Sequence, residues 1–243
     1  MKRTRLMLGI AGGFLLAGVV GISTSTVTTR QGVNFRVSSH KLPAYVKVID
    51  FLHRHYQYKL LSREITSGLY SDRERVLATF DWTRRHIQPT PKDWPVVDDH
   101  ILNIIIRGYG LDDQMADVFT TLSTYAGVPA FWQALERPGS GEKLILSFAN
   151  IDGKWAIFDV ANGLVFRNAQ GDFASAEELI ANPHLITETA RTVRPHGAAY
   201  RDYMAHLTSP KIPHPLRAEL QMPWPRVRAR LTRWIAKEQG NGS

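Results

Sequence analysis

The hydrophobic period of this chain changes at Pro129, and that change limits the available folds more than any other feature. Upstream, apolar residues return every three or four positions. The clearest case is Met115, Val118, Phe119 and Leu122, one helical stripe that begins after Gly110, carries Asp112 and Asp113 in its first turn and stops at Gly127. Downstream the runs at 130–135, 144–150 and 155–160 read as strands; Asp152-Gly153 joins the last two, and a further run at 164–166 follows Asn162-Gly163. Helices followed by antiparallel strands spell an α+β fold with helices packed on an antiparallel sheet. At 243 residues, 44% hydrophobic and 21% charged, the chain supports one good-sized domain with something appended, and disorder, a collagen-like repeat and a polytopic membrane protein are excluded.

Two more helices precede that stripe. Over 42–62, Tyr45, Ile49, Leu52, Tyr56 and Leu60 share a face, which predicts an amphipathic helix resting on a core. His53 and His55 within it point away from each other and read as solvated rather than as a metal pair. Ser71-x-x-Glu74 is a capping box that opens a helix carrying Val76, Leu77, Phe80 and Ile87, stopped by Pro89 and Pro91. Residues 98–110 are apolar in the middle, and periodicity leaves helix and strand both open there. Ser175-x-x-Glu178 caps a short helix.

The charge sits at the ends. Of the net +8, residues 1–22 hold +3 and residues 226–238 hold +4, leaving +1 for the body, so a nucleic-acid surface is not expected. Lys2, Arg3 and Arg5 precede a strictly apolar run of 17 residues, 6–22, and no charge occurs over the 24 residues 6–29. That pattern predicts a single-pass anchor in the inner membrane with the body in the periplasm, or a cleaved signal peptide at Ser23 or Ser25. Gly9, Gly13, Ala17 and Gly21 add a small-residue stripe. At the other end, five prolines from Pro210 to Pro225 predict an extended connector, laid on the surface or free in solvent. Val227, Leu231, Trp234 and Ile235 then form an apolar stripe among arginines, suited to an anionic membrane surface or a partner protein. The expected organisation is therefore an anchor or signal segment at 1–29, a body at 30–205 and a basic Pro-rich tail at 206–243.

Zero cysteines exclude disulfides, thiolate metal sites and a cysteine nucleophile. The loop 137–143 lacks the spacing of a phosphate-binding Walker loop and reads as a hairpin connection. Asp98, Asp99 and His100 form one polar cluster and Asp112 and Asp113 another; if they converge they offer recognition groups or an Asp–His acid/base pair, and otherwise they start and cap helices. Trp94, Trp132 and Trp155 suit either stacking on a ligand or core packing.

Three pieces of the central 100 residues resemble the transglutaminase-like domain of the papain-type thiol superfamily. They are Val76 onward to Ile87, the Gly108-Tyr-Gly-Leu-Asp-Asp-Gln segment continued to Ala126-Gly-Val-Pro129, and the strand pair with Asp152-Gly-Lys-Trp155 followed by Phe158-Asp159. The resemblance implies that Asp112 stands at the position of the family's cysteine, Leu144 at that of its histidine and Asp159 at that of its aspartate. A carboxylate at a helix N-terminus is a poor attacker of amides and leucine moves no proton, so thiol acyl transfer is expected to be lost. The chain is then expected to be a catalytically degenerate envelope protein, a binding or scaffolding module for a peptide or cell-surface polysaccharide. Asp99, His100, Asp112, Asp113, Gln114, Trp155 and Asp159 are its expected binding residues, with no cofactor and no metal. A hydrolase or transferase with a relocated Asp/His site is the alternative.

Overall fold

The structure, a computed structural model, describes residues 21, 24–33, 36–95, 98–205 and 207–240. The described chain falls into two compact units that meet in sequence at Arg54/His55. The first holds a hairpin of β1 (Thr26–Val33) and β2 (Arg36–Pro43), antiparallel from Thr26↔Pro43 to Val33↔Arg36, and the first half of helix α1 (Ala44–Ile65). The expected membrane segment lies almost wholly outside the described residues. Its final part is corrected, because Thr26 to Thr29 open β1, where a run of β-branched residues favours extended backbone over helix. No helix among the described residues is long and apolar enough to cross a membrane.

The second unit is built around α4 (Asp112–Tyr125) and an antiparallel sheet of β5 (Ala130–Glu136), β6 (Lys143–Ile151), β7 (Lys154–Asp159) and β8 (Leu164–Val165), in that order. Asp152 and Gly153 both take positive φ between β6 and β7, the turn whose twist suits a two-residue hairpin. Alternation along the strands gives the sheet two buried faces. Ala130, Ala149, Ile151, Ala156 and Phe158 meet Met115, Val118, Phe119 and Leu122 of α4 and Val76 and Phe80 of α2 (Asp72–His86). Phe80, Phe119 and Phe158 form a ring trio with centroids 5.3–5.9 Å apart. On the opposite face Phe131, Leu144, Leu146, Phe148 and Ile157 meet the later elements α5 (Ala176–Ala181), α6 (His184–Thr189) and α7 (Tyr200–Met204). The fold is a mixed α+β arrangement, with helices on both faces of the sheet.

Both capping boxes form, at Ser71/Glu74 and Ser175/Glu178. The ambiguous stretch is a helix, α3 (Ile101–Arg107), ended by left-handed Gly108 and tied to α1 by a bond from the Leu102 N–H to the Tyr58 hydroxyl at 3.0 Å. After it β4 (Tyr109–Gly110) runs parallel to β3 (Gln88–Pro89).

Three expectations are overturned. The stripe Tyr45, Ile49, Leu52, Tyr56 and Leu60 of α1 faces solvent, with Ile49 and Leu60 each 60% exposed. In the second unit the inward residues of α1 are Tyr58, Leu61, Ser62 and Ile65, and the small Ser62 lets its hydroxyl reach the Leu122 carbonyl at 3.1 Å. The helix is apolar on two sides, and packing chose the other one. His55 is likewise no solvated residue, since its Nδ1 lies 2.8 Å from the Tyr125 hydroxyl, while His53 is exposed. The Pro-rich tail is not free either. Leu207, Leu216 and Ala218 are buried, Arg217 pairs with Asp117 at 2.8 Å, and the Gln221 carbonyl accepts from Tyr125 at 2.9 Å. Beyond it α8 (Pro223–Gly240) forms as the arginine-flanked stripe predicts.

Candidate functional site

Helix α4 opens where Leu111 is still extended, and its N–H donates to the Gln114 Oε1 at 3.1 Å. Asp112 and Asp113 then occupy the first turn, where the positive end of the helix favours carboxylates. The Asp113 Oδ1 accepts from the Gln114 N–H at 2.9 Å, so Asp113 helps to cap the helix. Gly110 fits closely beside this start: a Cβ there would come within 3.1 Å of Gln114 and 3.3 Å of Ile104, so those neighbours would have to give by a few tenths of an ångström.

Gln114 joins the two acidic clusters. It is 1% exposed; its Oε1 also accepts from the Arg107 Nη2 at 2.7 Å, and its Nε2 donates to the Asp99 Oδ1 at 2.7 Å and the Asp98 carbonyl at 3.2 Å. Arg107 further donates to the carbonyls of Asp98 and Tyr109 at 2.9 and 2.8 Å. The Asp98 carboxylate is occupied by the His100 N–H and the Asn103 amide, at 2.8 and 2.9 Å. The clusters do converge, and the convergence has an electrostatic consequence. Burial pushes the Asp113 carboxyl above its ordinary range, and the neighbouring Asp99 and Asp112 push it the same way. One turn on, burial lifts Asp117 to about 6 against the opposing pull of Arg217 and of the Trp132 indole, whose Nε1 donates at 2.7 Å. Among the described residues no group of three or more His, Asp or Glu is placed to hold a metal.

Across the sheet, β7 ends at Asp159, which is 0% exposed. Its oxygens accept from the Asn162 N–H and amide at 2.9 and 3.0 Å and from the Tyr200 hydroxyl at 2.5 Å. Burial pushes Asp159 upward, opposed by these three donors, and it pushes the Tyr200 phenol upward as well; the Asp112 charge reaches both groups. Leu144 lies buried on the same sheet face, in the cluster that holds Tyr200 and Tyr203. The turn Pro195–Gly197 leads into α7. Within it His196 takes φ 48, a left-handed conformation uncommon outside glycine, and its Nε2 stands 3.8 Å from the Asp112 carboxylate. The two form an ion pair when the imidazole is protonated.

The residues at 112, 144 and 159 are thus accompanied by two groups that no motif announced, His196 and Tyr200. Of the seven expected binding residues, Asp99 is exposed and His100, Asp112, Asp113 and Trp155 are half-buried. Trp155 meets Phe131 edge-on with centroids 5.0 Å apart. Gln114 and Asp159 are sealed from solvent and held by internal bonds, beneath the half-buried and exposed members of the set. Trp94 is exposed against Tyr109, and Trp132 serves Asp117.

No protein-family model matches the chain, and no curated protein matches it. Among solved structures it is similar to a "putative protease" from Parabacteroides distasonis, with 12% identity and a TM-score of 0.36 over 56% of this chain and 36% of that one. A "putative cysteine protease" from Cytophaga hutchinsonii gives 16% identity and a TM-score of 0.39 over 60% and 57%. A protein described as a TGase gives 12% and 0.35 over 55% and 43%. The matched part therefore spans 36–57% of those chains.

Proposed function

We propose that the chain is a transglutaminase-like module of the cell envelope that no longer performs thiol acyl transfer and instead binds or scaffolds a peptide or cell-surface polysaccharide. One observation carries the reading: Asp159, the carboxylate that the resemblance matches to the family's aspartate, is buried and bonded to Tyr200, and Leu144, which the resemblance matches to its histidine, is buried too. A proton relay needs a group that gains and loses a proton near neutral pH. Leucine has none, and the buried phenol is pushed away from that range. The chain also has no thiol to activate. Asp99 is exposed and His100, Asp112 and Asp113 are half-buried, which leaves this group within reach of a ligand. The basic residues before the apolar run 6–22 support export and anchoring, with the body outside the inner membrane.

The test is capture by the full chain from detergent-solubilised membranes, with the retained material identified chemically. The reading expects a peptide or polysaccharide that is lost in the double variant Asp99→Asn, Asp112→Asn while the fold persists. Retention unchanged by that variant would refute the assigned surface. The Asp112–His196 contact favours a second reading, a hydrolase or transferase in which His196 acts as base. That reading requires turnover that His196→Ala removes without unfolding the chain.

A further inference from the structure

Helix α8 carries two faces that take no part in the site around Asp112 and Asp159. Trp224, Val227, Leu231 and Ile235 succeed one another at spacings of three, four and four, so they share a side, and Trp234 borders it. Trp224 is 76%, Leu231 54% and Trp234 62% exposed, and residues 231–236 are exposed on every side of the helix. Arg228 flanks this strip, and the far side of the helix presents Arg226, Arg230 and Arg233. With Arg217, Leu220, Gln221 and Trp234 these line an open groove of about 650 Å³. No acidic residue occurs in the helix before Glu238.

We propose that α8 docks the chain on an anionic lipid bilayer, with the Trp224–Ile235 side in the interfacial layer and Arg230 and Arg233 on lipid phosphates. An exposed apolar strip with tryptophan at both ends is costly in water and gains free energy in the headgroup region, where an indole buries its ring and keeps its N–H hydrated. With the strip immersed, the polar side of the helix turns to the headgroups, where long arginine side chains extend to lipid phosphates and guanidinium binds phosphate oxygens in pairs. Charge complementarity selects this occupant. A protein groove for an amphipathic helix would have to bury or match a row of arginines, whereas an anionic bilayer offers phosphates along the entire row.

The absence of cysteine makes the test clean, because a single Ile235→Cys carries a label that reports α8 alone even when the N-terminal segment is also in lipid. The full chain with an environment-sensitive fluorophore at 235 is reconstituted into phosphatidylcholine vesicles with and without 30% phosphatidylglycerol, and quenching by brominated lipid is measured. Quenching is expected in the anionic vesicles, and it should fall at high salt. The double variant Arg230→Gln, Arg233→Gln should weaken insertion about 25-fold, at about fivefold per arginine near an anionic surface. Equal exposure of the label to water in both vesicles would overturn the proposal. So would a label already shielded in detergent, which would mean a second copy or another protein segment covers α8.

Discussion

Removing the Tyr200 hydroxyl isolates its bond to the buried Asp159 carboxyl. In Tyr200→Phe the ring still fills its place beside Phe166, with no cavity created, and only the 2.5 Å bond to Asp159 is lost. A hydrogen bond to a charged or partly charged carboxyl contributes about 1.5–3 kcal/mol, and both groups here are buried. For a chain of this size each kcal/mol moves the Tm by about 2–4 °C, so a drop of about 4–8 °C is expected for a loss of 2 kcal/mol. The pH dependence gives a second check. Asp159 has a folded pKa above its unfolded value, so its contribution is full below the unfolded pKa, near ~3.9, and is lost as pH rises through the folded pKa. The Tyr200 bond opposes that upward shift, so the variant's carboxyl moves higher still and loses more stability at neutral pH. Urea unfolding of both full-length proteins across pH 4–8 should show a difference that widens with pH. A difference below about 0.5 kcal/mol, or one independent of pH, would refute the reasoning.

Replacing Gln114 by Leu leaves Arg107, the Leu111 N–H and Asp99 without their partner in a nearly sealed site and is expected to cost about 2–4 kcal/mol, read by urea unfolding. Arg217→Gln removes the charge that opposes the burial shift of Asp117, so its titration should move above about 6 in carboxyl NMR. Because that folded pKa is raised, the variant should lose stability relative to the parent as pH rises through 6, and an unmoved titration would show that the pair is uncoupled. Ser147→Ala should be neutral or stabilising by about 1 kcal/mol, since the buried Ser147 hydroxyl has no hydrogen-bond partner among the described residues.

The features legible in the sequence were those that local chemistry determines. The α4 stripe, the two capping boxes and the Asp152-Gly153 hairpin all depend on residues within a turn or two of each other. The orientation of α1 was not legible because both of its sides are apolar, and the choice depends on Ser62 fitting under the Leu122 carbonyl, 60 residues away. The buried tail escaped for a related reason: prolines forbid helix, but only tertiary contacts decide whether Leu207 and Leu216 find a core. At the site, Asp112, Leu144 and Asp159 were singled out by the family resemblance, whereas Tyr200 meets Asp159 across 41 residues with no periodic signal. Nor does spacing reveal that Gln114 and Asp159 are buried, since that depends on what the rest of the chain lays over them.

The most direct measurement of the central claim is turnover by the purified full chain on amide, peptide and amine-acceptor substrates, with and without thiol-blocking reagents. If Asp112, Leu144 and a Tyr200-held Asp159 stand where the resemblance puts them, no turnover above background is expected, and the reagents should change nothing. Turnover that disappears in Asp112→Asn or His196→Ala, while both variants remain folded, would contradict the account and establish a working carboxylate/histidine site in its place.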